Sequence, residues 1–315
     1  MGGIRAAVDI GSNTLRLLIA EPSPSGSTAP WQTIYRTHRI VRLGEGLHAT
    51  GRLSEAGMER ALTALEEFAG LITEHGASLA DTHAVATAAM REAGNGRAFR
   101  DIIEQQTGIR VRIIEGEHEA RLSLAGATAV LHPETRGDML LFDIGGGSTE
   151  FIRVRDEALV DAVSRKMGVV RLVEAHLTSD PPSSEDYRAM VRTANMHLDA
   201  VADGWPDRQA PGHLVGTAGT VTTLGAVHLD LYPYDEERIN NHTIPRAEFV
   251  ALRDRLLAMT HDERQAIRTI EPGRADLMVA GLAIIDAVFT RWHYPELIVV
   301  DAGLLEGAWL EALSD

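Results

Sequence analysis

Two short segments of this chain place an aspartate immediately before a glycine-rich turn. The first reads AVDIGSNT from Ala7 to Thr14, and the second reads LLFDIGGGST from Leu140 to Thr149. An apolar run leads into each aspartate, Asp9 or Asp143, and another apolar run follows each turn. Because glycine tolerates positive φ and carries no side chain, backbone N–H groups in such a turn can converge on an anion.

The side chains around the two turns suit the same chemistry. Hydroxyl and amide donors lie in both turns, at Ser12, Asn13, Ser148 and Thr149. An aspartate carboxylate can hold a divalent cation, which would neutralise the same anion. A single turn of this kind also fits an ordinary hairpin with glycine at its tight position. Two copies in the same strand–turn–strand context predict duplicated halves that grip a phosphate chain between them.

Composition limits the class of protein. The chain has 315 residues, of which 44% are hydrophobic and 24% charged, as expected for two globular domains. It has no cysteine, which excludes disulfides and cysteine-based metal sites or nucleophiles. Its net charge of −15 opposes nonspecific binding to nucleic acid or acidic membranes. No membrane-length apolar run and no signal peptide is recognisable, so we expect a cytoplasmic protein.

The rest of the sequence pattern must position the two turns. Hydrophobic periodicity predicts three strands followed by alternating helices and strands in each half. We therefore expect an α/β protein with a duplicated actin-like (ribonuclease H-like, ASKHA) fold, in which two βββαβαβα domains flank a central cleft. The expected domains are residues 1–124 and 125–302, with a C-terminal helix at about 303–315 packing back on the first. A doubly wound sheet is the alternative, but it leaves the duplicated hairpins unexplained.

Two further features admit both a functional and a structural interpretation. Arg91 follows the strand predicted at Thr82–Ala88, at the strand end where open α/β sheets bind ligands. The same arginine fits a helix cap or an ion pair with Glu92. The GTAGT segment, Gly216–Thr220, leads from a strand into a helix and fits either an anion site or a turn that permits tight packing.

Eight motifs, taken in order, resemble those of the exopolyphosphatase/guanosine-pentaphosphate phosphohydrolase (Ppx/GppA) family. They are DIGSNT, TAAMREAGN, IIEGEHEARL, FDIGGGSTE, MGVVRL, GTAGT, RAD and GLLEG. The resemblance runs from the first predicted strand to the last predicted helix. Longer members add a C-terminal helical domain with an HD-type metal site, so this chain resembles the short two-domain class. From that difference we expect a preference for shorter polymers.

The resemblance implies that Glu119, the glutamate of the EAR triplet, is the catalytic general base. Family members commonly carry Ser-Gly and two adjacent glutamates in this motif, whereas this chain has Glu115-Gly116 and His118-Glu119. Glu117 lies two residues away, and residues two apart on a helix point about 200° from each other. Without the family, both glutamates would read as acidic residues favoured in the first turn of a helix.

The resemblance also implies metal and substrate ligands. Asp143 and Glu150 would hold Mg²⁺ or Mn²⁺, directly or through water. The substrate-binding residues would be Gly11, Ser12, Asn13, Arg91, Gly145, Gly146, Gly147 and Ser148. Arg171 and Arg274 match family positions, where each would either contact substrate or brace the cleft. No histidine cluster of the HExxH type occurs, so we expect no zinc, and we expect His118 and His242 to be solvated or hydrogen-bonded.

Together these residues imply an exopolyphosphatase that hydrolyses the terminal phosphoanhydride of inorganic polyphosphate, as a homodimer by analogy with the family. A rival with the same fold and mechanism would remove the 5′-phosphate of guanosine pentaphosphate (pppGpp). An actin-like kinase that transfers a phosphoryl group to a small acceptor is a different reaction class. A sensor or filament-forming relative without a catalytic base is the non-enzymatic alternative.

Overall fold

The computed structural model describes residues 3–205 and 211–313. The chain divides into two compact units. Unit 1 comprises the chain up to Val130 together with the segment from Ala302 onward, and unit 2 comprises Leu131–Asp301. The boundary expected at residue 124 falls inside a helix that belongs wholly to unit 1. None of the helices in the described part of the chain combines the length and apolar character needed to cross a membrane.

Apart from several short helices and the strand β10, the elements follow one another in the order expected from the hydrophobic pattern. The first part of the chain forms β1 (Arg5–Ile10), β2 (Thr14–Pro22), β3 (Trp31–Ile40), α1 (Leu47–Thr50), α2 (Glu55–Glu74), β4 (His83–Ala86), α3 (Ala88–Glu92), α4 (Gly96–Thr107), β5 (Val111–Ile113) and α5 (Gly116–Val130). The second part forms α6 (Pro133–Arg136), β6 (Asp138–Ile144), β7 (Thr149–Arg155), β8 (Ala158–Arg165), α7 (Val169–His176), α8 (Ser184–Asp203), β9 (His213–Thr217), α9 (Ala218–Leu229), α10 (Glu236–Ile239), β10 (His242–Pro245), α11 (Arg246–Leu257), α12 (His261–Gln265), α13 (Leu277–Trp292), β11 (Glu296–Val299) and α14 (Leu304–Ala312).

The two sheets share one topology. Unit 1 has the strand order β3-β2-β1-β4-β5, and unit 2 has β10-β11-β9-β6-β7-β8. In both, three antiparallel strands are followed by two that run parallel to the first. The predicted duplicated actin-like fold is therefore confirmed. Strand β10 is an additional antiparallel edge strand that the sequence pattern did not predict, because its four residues end in proline and show little alternation.

Strand alternation decides which face each aspartate occupies. In β1, Ala6, Val8 and Ile10 pack into the core beneath α2 and α4, whereas Ala7 packs with residues of α5 and α14. Successive side chains of a strand point to opposite faces, so Asp9 shares the face of Ala7. The helix pair α5 and α14 therefore covers the face of the sheet that carries Asp9.

Glycines allow α5 and α14 to pack at close range. A Cβ at Gly126 would lie 2.0 Å from the carbonyl oxygen of Gly303, and a Cβ at Gly307 would lie 1.9 Å from that of Leu122. Such separations are far below van der Waals contact, so a larger residue at either position would force the helices apart. The glycines of the GLLEG motif thus fix the position of α5, which carries Glu119.

This close packing makes a testable prediction about two glycine-to-alanine substitutions in unit 1. Gly126→Ala should lower the free energy of unfolding by about 1–3 kcal/mol, because the added methyl overpacks the helix pair. Gly70→Ala in α2 is the matched control, since a methyl there meets nothing within 4 Å among the described residues. The control substitution should raise the free energy of unfolding by about 0.5–1 kcal/mol, because alanine has a higher helix propensity and a lower unfolded-chain entropy than glycine. Urea denaturation measures both, and effects of the same sign would contradict the packing argument.

Candidate functional site

The two glycine-rich turns have the same backbone geometry. The N–H of Gly11 donates to the carbonyl of Thr14 at 3.1 Å, and the N–H of Gly145 donates to the carbonyl of Ser148 at 3.0 Å. Each bond closes a hairpin turn with two central residues, Ser-Asn in unit 1 and Gly-Gly in unit 2. The two turns therefore occupy equivalent positions at the ends of β1 and β6.

In unit 1, the carbonyl groups of the turn are occupied by the chain that follows β3. The carbonyl of Ser12 accepts from the N–H of Gly44 at 2.7 Å. The carbonyl of Asn13 accepts from the N–H groups of Val41 and Arg42, at 2.9 and 3.0 Å. The turn is thus anchored to its own unit through its oxygen atoms.

The turn of unit 2 is anchored in the same way by the start of α7. The carbonyl of Gly146 accepts from the N–H of Val170 at 3.0 Å. The carbonyl of Gly147 accepts from Nε of Arg171 at 3.3 Å, so this arginine lies against the turn. Both units therefore hold the turn by its carbonyl oxygens, although the segments that do so differ.

The N–H that shares a peptide with each carbonyl belongs to the next residue and points the opposite way. The anchored carbonyl of Ser12 therefore directs the N–H of Asn13 away from the anchoring segment. In unit 2 the carbonyl of Gly145 accepts from the N–H of Val169 at 3.0 Å, so the carbonyls of Gly145 and Gly146 do the same for the N–H groups of Gly146 and Gly147.

The N–H groups of Ser12, Asn13, Gly146 and Gly147 donate to no acceptor among the described residues. Ser12 and Asn13 are nevertheless 6% and 8% exposed, so their N–H groups need a partner such as water or a ligand. Neighbouring N–H groups in a turn form a concave site for an anion. Each unit therefore presents a pair of backbone donors suited to phosphoryl oxygens.

The glycines serve close approach and not unusual backbone angles. None of the glycines in the two turns has a positive φ, so the first reason expected from the sequence is wrong, whereas the second, the absence of a side chain, agrees with the packing. A Cβ at Gly11 would lie 2.9 Å from the carbonyl oxygen of Thr14. A Cβ at Gly168, in the MGVVRL motif, would lie 2.2 Å from the carbonyl oxygen of Gly146. Small residues are needed because the anchoring segment packs directly on the turn.

A row of polar side chains crosses the sheet of unit 2 beside its turn. Asp143 lies opposite Glu150 on one side and Thr217 on the other, and Glu150 lies opposite Ser164. Oε1 of Glu150 accepts from the hydroxyls of Ser148 and Ser164, at 2.8 and 2.6 Å. Asp143 and Glu150 are 8% and 1% exposed. Two buried carboxylates therefore stand side by side next to the donors of the turn.

This carboxylate pair fits a hard divalent cation. Mg²⁺ prefers oxygen ligands and is often held by one or two carboxylates, with waters and substrate phosphates completing its shell. Like charges directly opposite each other destabilise a sheet, and a cation would relieve that repulsion. Within residues 3–205 and 211–313, no group of three or more histidine, aspartate or glutamate side chains is arranged to hold a metal. Asp143 and Glu150 would therefore share such an ion with water and substrate.

Ser164 was missed in the sequence, and a β-bulge explains why. The turn between β7 and β8 pairs Arg155 with Ala158, and counting back from it would place Val163 opposite Glu150. The register shifts between Arg153 and Val154, so the hydroxyl of Ser164 faces the carboxylate instead. One extra residue thus exchanges an apolar neighbour for a hydrogen-bond donor.

Arg274 brings two motifs together, since this residue of the RAD motif contacts the GTAGT turn. A Cβ at Gly219 would lie 1.8 Å from Nη1 of Arg274, so the guanidinium packs directly on the GTAGT turn. Nε of the same arginine pairs with Glu271 at 2.7 Å. Because Thr217 precedes this turn and lies opposite Asp143, Arg274 belongs to the same sheet edge as the carboxylate pair.

Unit 1 places Arg91 and Glu119 in contact. Nη1 of Arg91 donates to Oε2 of Glu119 at 3.0 Å and to the carbonyl of Ile114 at 2.7 Å. The side chains of Arg91 and Glu119 are 17% and 8% exposed. Glu117 instead lies in solvent and pairs with Arg121 at 2.6 Å. Of the two glutamates, only Glu119 thus faces the protein. Its partner is Arg91, a pairing that the sequence did not predict.

The two histidines singled out in the sequence are hydrogen-bonded. Nε2 of His118 lies 2.7 Å from Glu311 in α14. Nε2 of His242 lies 2.8 Å from Nδ1 of His228, whose Nε2 lies 2.6 Å from Glu248. Burial lowers the pKa of His242, and the neighbouring His228 lowers it further. Both histidines therefore belong to local side-chain networks.

Comparison with known proteins identifies the relatives of this chain. The model of the Ppx/GppA phosphatase family matches residues 21–315. The chain is 34% identical over 311 residues to Exopolyphosphatase 2 of Mycobacterium tuberculosis, covering 96% of each protein. A solved exopolyphosphatase structure from Cytophaga hutchinsonii has a TM-score of 0.88 at 28% identity, covering 99% of this chain and 98% of that one. A Ppx/GppA family structure from Aquifex aeolicus has a TM-score of 0.80 at 29% identity, with coverage of 99% and 98%.

The hydrogen bond from Ser164 predicts energetic coupling across the sheet. Ser164→Ala should destabilise the protein by about 1.5–3 kcal/mol, the usual worth of a hydrogen bond to a charged group. Combined with Glu150→Gln, the two effects should deviate from additivity by at least about 0.5 kcal/mol. Glu157→Gln, in the distal turn of the same hairpin, serves as the control and should add independently. Denaturation midpoints measure this cycle, and additivity of the Ser164 and Glu150 variants would contradict the contact.

Proposed function

The chain belongs to the Ppx/GppA phosphatase family, and we propose that it acts as an exopolyphosphatase, releasing orthophosphate from the ends of inorganic polyphosphate. Family membership makes it a phosphoanhydride hydrolase. The observation that carries the choice of substrate is the repeated turn, in which each copy has backbone N–H donors that no acceptor among the described residues occupies. A polymer of identical phosphoryl groups offers the same oxygen atoms to both copies. We also propose that the enzyme is cytoplasmic and homodimeric. Analytical ultracentrifugation would test the dimer by measuring its mass.

The substrate chain is held by charge and by backbone donors. The turn residues Gly11–Asn13 and Gly145–Ser148 would bind phosphoryl oxygens through their N–H and hydroxyl groups, and Arg171 and Arg274 would add charge beside the second turn. Asp143 and Glu150 would hold Mg²⁺ or Mn²⁺ against the same phosphates. When bound, the cation supplies neutralisation of the charge that the loose transition state of phosphoryl transfer spreads over its oxygens.

Glu119 would be the general base, with Arg91 holding it in place. A water molecule attacks the terminal phosphorus, its proton passes to the carboxylate of Glu119, and the bond to the bridging oxygen breaks. Orthophosphate leaves, and the remaining chain is one unit shorter. The bond from Arg91 to Oε2 fixes the orientation of the carboxylate, which supports a positioned base more than a solvated surface glutamate.

Replacing the proposed base, Glu119, should abolish most of the catalysis without preventing folding. Glu119→Gln should lower kcat for polyphosphate by about 10²–10⁴, the usual contribution of a positioned general base. Glu117→Gln is the matched control, since this exposed side chain contacts Arg121 and should leave turnover unchanged. Phosphate release measures activity, and thermal denaturation checks that both variants fold. Full turnover by folded Glu119→Gln would contradict the assigned base.

Metal dependence should reside in the carboxylate pair of unit 2. Chelation with EDTA should abolish phosphate release, and Mg²⁺ or Mn²⁺ should restore it. Glu150→Gln should raise the Mg²⁺ concentration needed for half-maximal activity by about tenfold or more, because a buried anionic ligand is lost. Asp156→Asn, in the turn between β7 and β8, serves as the control. An unchanged metal requirement in Glu150→Gln would contradict this ligand assignment.

Substrate preference distinguishes the proposal from its rival. We expect faster phosphate release from short polyphosphate than from long chains, and slower release from pppGpp than from either. The three substrates, compared at equal concentration of terminal groups, provide the measurement through kcat/KM. Activity confined to pppGpp would overturn the choice of polyphosphate, while acceptor-dependent formation of ADP from ATP would indicate a kinase.

A further inference from the structure

A basic pocket lies in unit 1 at the opposite edge of its sheet from the Gly11–Asn13 turn. It has a volume of about 650 Å³ and is lined at the starts of β1, β4 and β5 by Arg5, His83, Arg110 and Arg112. Strand β1 rises about 3.3 Å per residue, so its six residues separate the pocket from the turn by roughly 20 Å. The pocket is therefore distinct from the residues assigned to hydrolysis.

The charge of this pocket contrasts with that of the protein. Three arginines and a histidine line it together with one acidic residue, Asp81, and a second carboxylate, that of Glu311, contacts Arg112 from α14. This local excess of basic groups occurs in a chain whose net charge is −15. Arg110 projects into solvent with 73% of its side chain exposed, and its ion pair with Glu104 is long, at 3.5 Å. Guanidinium groups bind phosphate oxygens in pairs and remain charged at every physiological pH.

One arginine of the pocket is shared with an internal network. Nη2 of Arg112 lies 2.5 Å from Oε2 of Glu311 and 3.2 Å from Nδ1 of His83. Oε1 of the same glutamate lies 2.7 Å from Nε2 of His118. Burial acts to raise the pKa of Glu311, but the hydrogen bonds from His118 and Arg112 outweigh it, so the pKa is lowered. The carboxylate is thus ionised and shared between the pocket and α5.

We propose that this pocket binds a small phosphate-bearing anion and that its occupancy is linked to the start of α5. The anion engages Arg110 and Arg112 and competes with Glu311 for the second of these. Glu311 then forms a stronger interaction with His118, the residue immediately before Glu119. The pocket is thereby a regulatory site in which a soluble phosphate compound acts on the helix that carries the proposed base.

Inorganic diphosphate is the probe, and imidazole resonances of the isotopically labelled full-length protein are the readout. His83 lies in the pocket and His118 lies at its link to α5, and each signal is assigned by its loss in a His→Gln variant. Both resonances should shift saturably with the same dissociation constant. Arg110→Glu should raise that constant about tenfold or more, since a cationic ligand of the anion is replaced by a carboxylate.

Arg100→Glu on α4 is the control, because it changes the net charge equally and lies outside the pocket. It should leave the dissociation constant within about twofold, as expected for a screened surface charge. An unmoved His83 signal, equal binding by Arg110→Glu, or an equal response to sulfate would each overturn the proposed site. A shift of His83 without one of His118 would overturn the link. No hydrolysis is measured, so these outcomes are independent of the proposed exopolyphosphatase activity.

Discussion

The geometry of both glycine-rich turns depends on one constraint. The carbonyl groups of each turn are hydrogen-bonded to other residues of the same unit. A peptide fixed by its oxygen directs its N–H to the other side. The central peptides of each turn are held in this way, by the segment after β3 in unit 1 and by the start of α7 in unit 2. This leaves the N–H of Asn13 in unit 1, and those of Gly146 and Gly147 in unit 2, available to an anion in positions set before any ligand arrives. Preorganised donors of this kind stabilise phosphoryl charge without a cost of rearrangement.

The two units share one duplicated scaffold, but different residues at equivalent positions give the two units different chemical groups. The register is the same in both hairpins, so Asp9 lies opposite Arg16 where Asp143 lies opposite Glu150. Unit 2 therefore pairs two carboxylates, which suits a divalent cation, whereas unit 1 pairs opposite charges. Unit 1 contributes instead a buried glutamate on α5, at the C-terminal edge of its parallel strands. That helix is held by α14 through glycines at their closest approach, so the GLLEG motif acts on the position of α5 through packing.

Much of this arrangement follows from the sequence, because local pattern determines local structure. The repeated aspartate and glycine turn, the apolar strands on either side and the helical periodicity sufficed to predict the duplicated fold. Pairings between distant segments were not predictable from pattern. Arg91 contacts Glu119 across strands that meet only in the folded sheet, and Ser164 reaches Glu150 only because a bulge shifts the register by one residue. The glycines were recognised as special, but the reason is the close approach of α7 and β2 backbone, which no single turn motif reveals.

A crystal structure of the Glu119→Gln variant with Mg²⁺ and tripolyphosphate would test the central claim most directly, since hydrolysis would be slowed and the bound chain retained. The account predicts phosphoryl oxygens at hydrogen-bonding distance, about 2.7–3.2 Å, from the backbone nitrogens of both turns. The nitrogens concerned are those of Ser12, Asn13, Gly146 and Gly147. A polyphosphate bound elsewhere, with water on these N–H groups, would contradict the account.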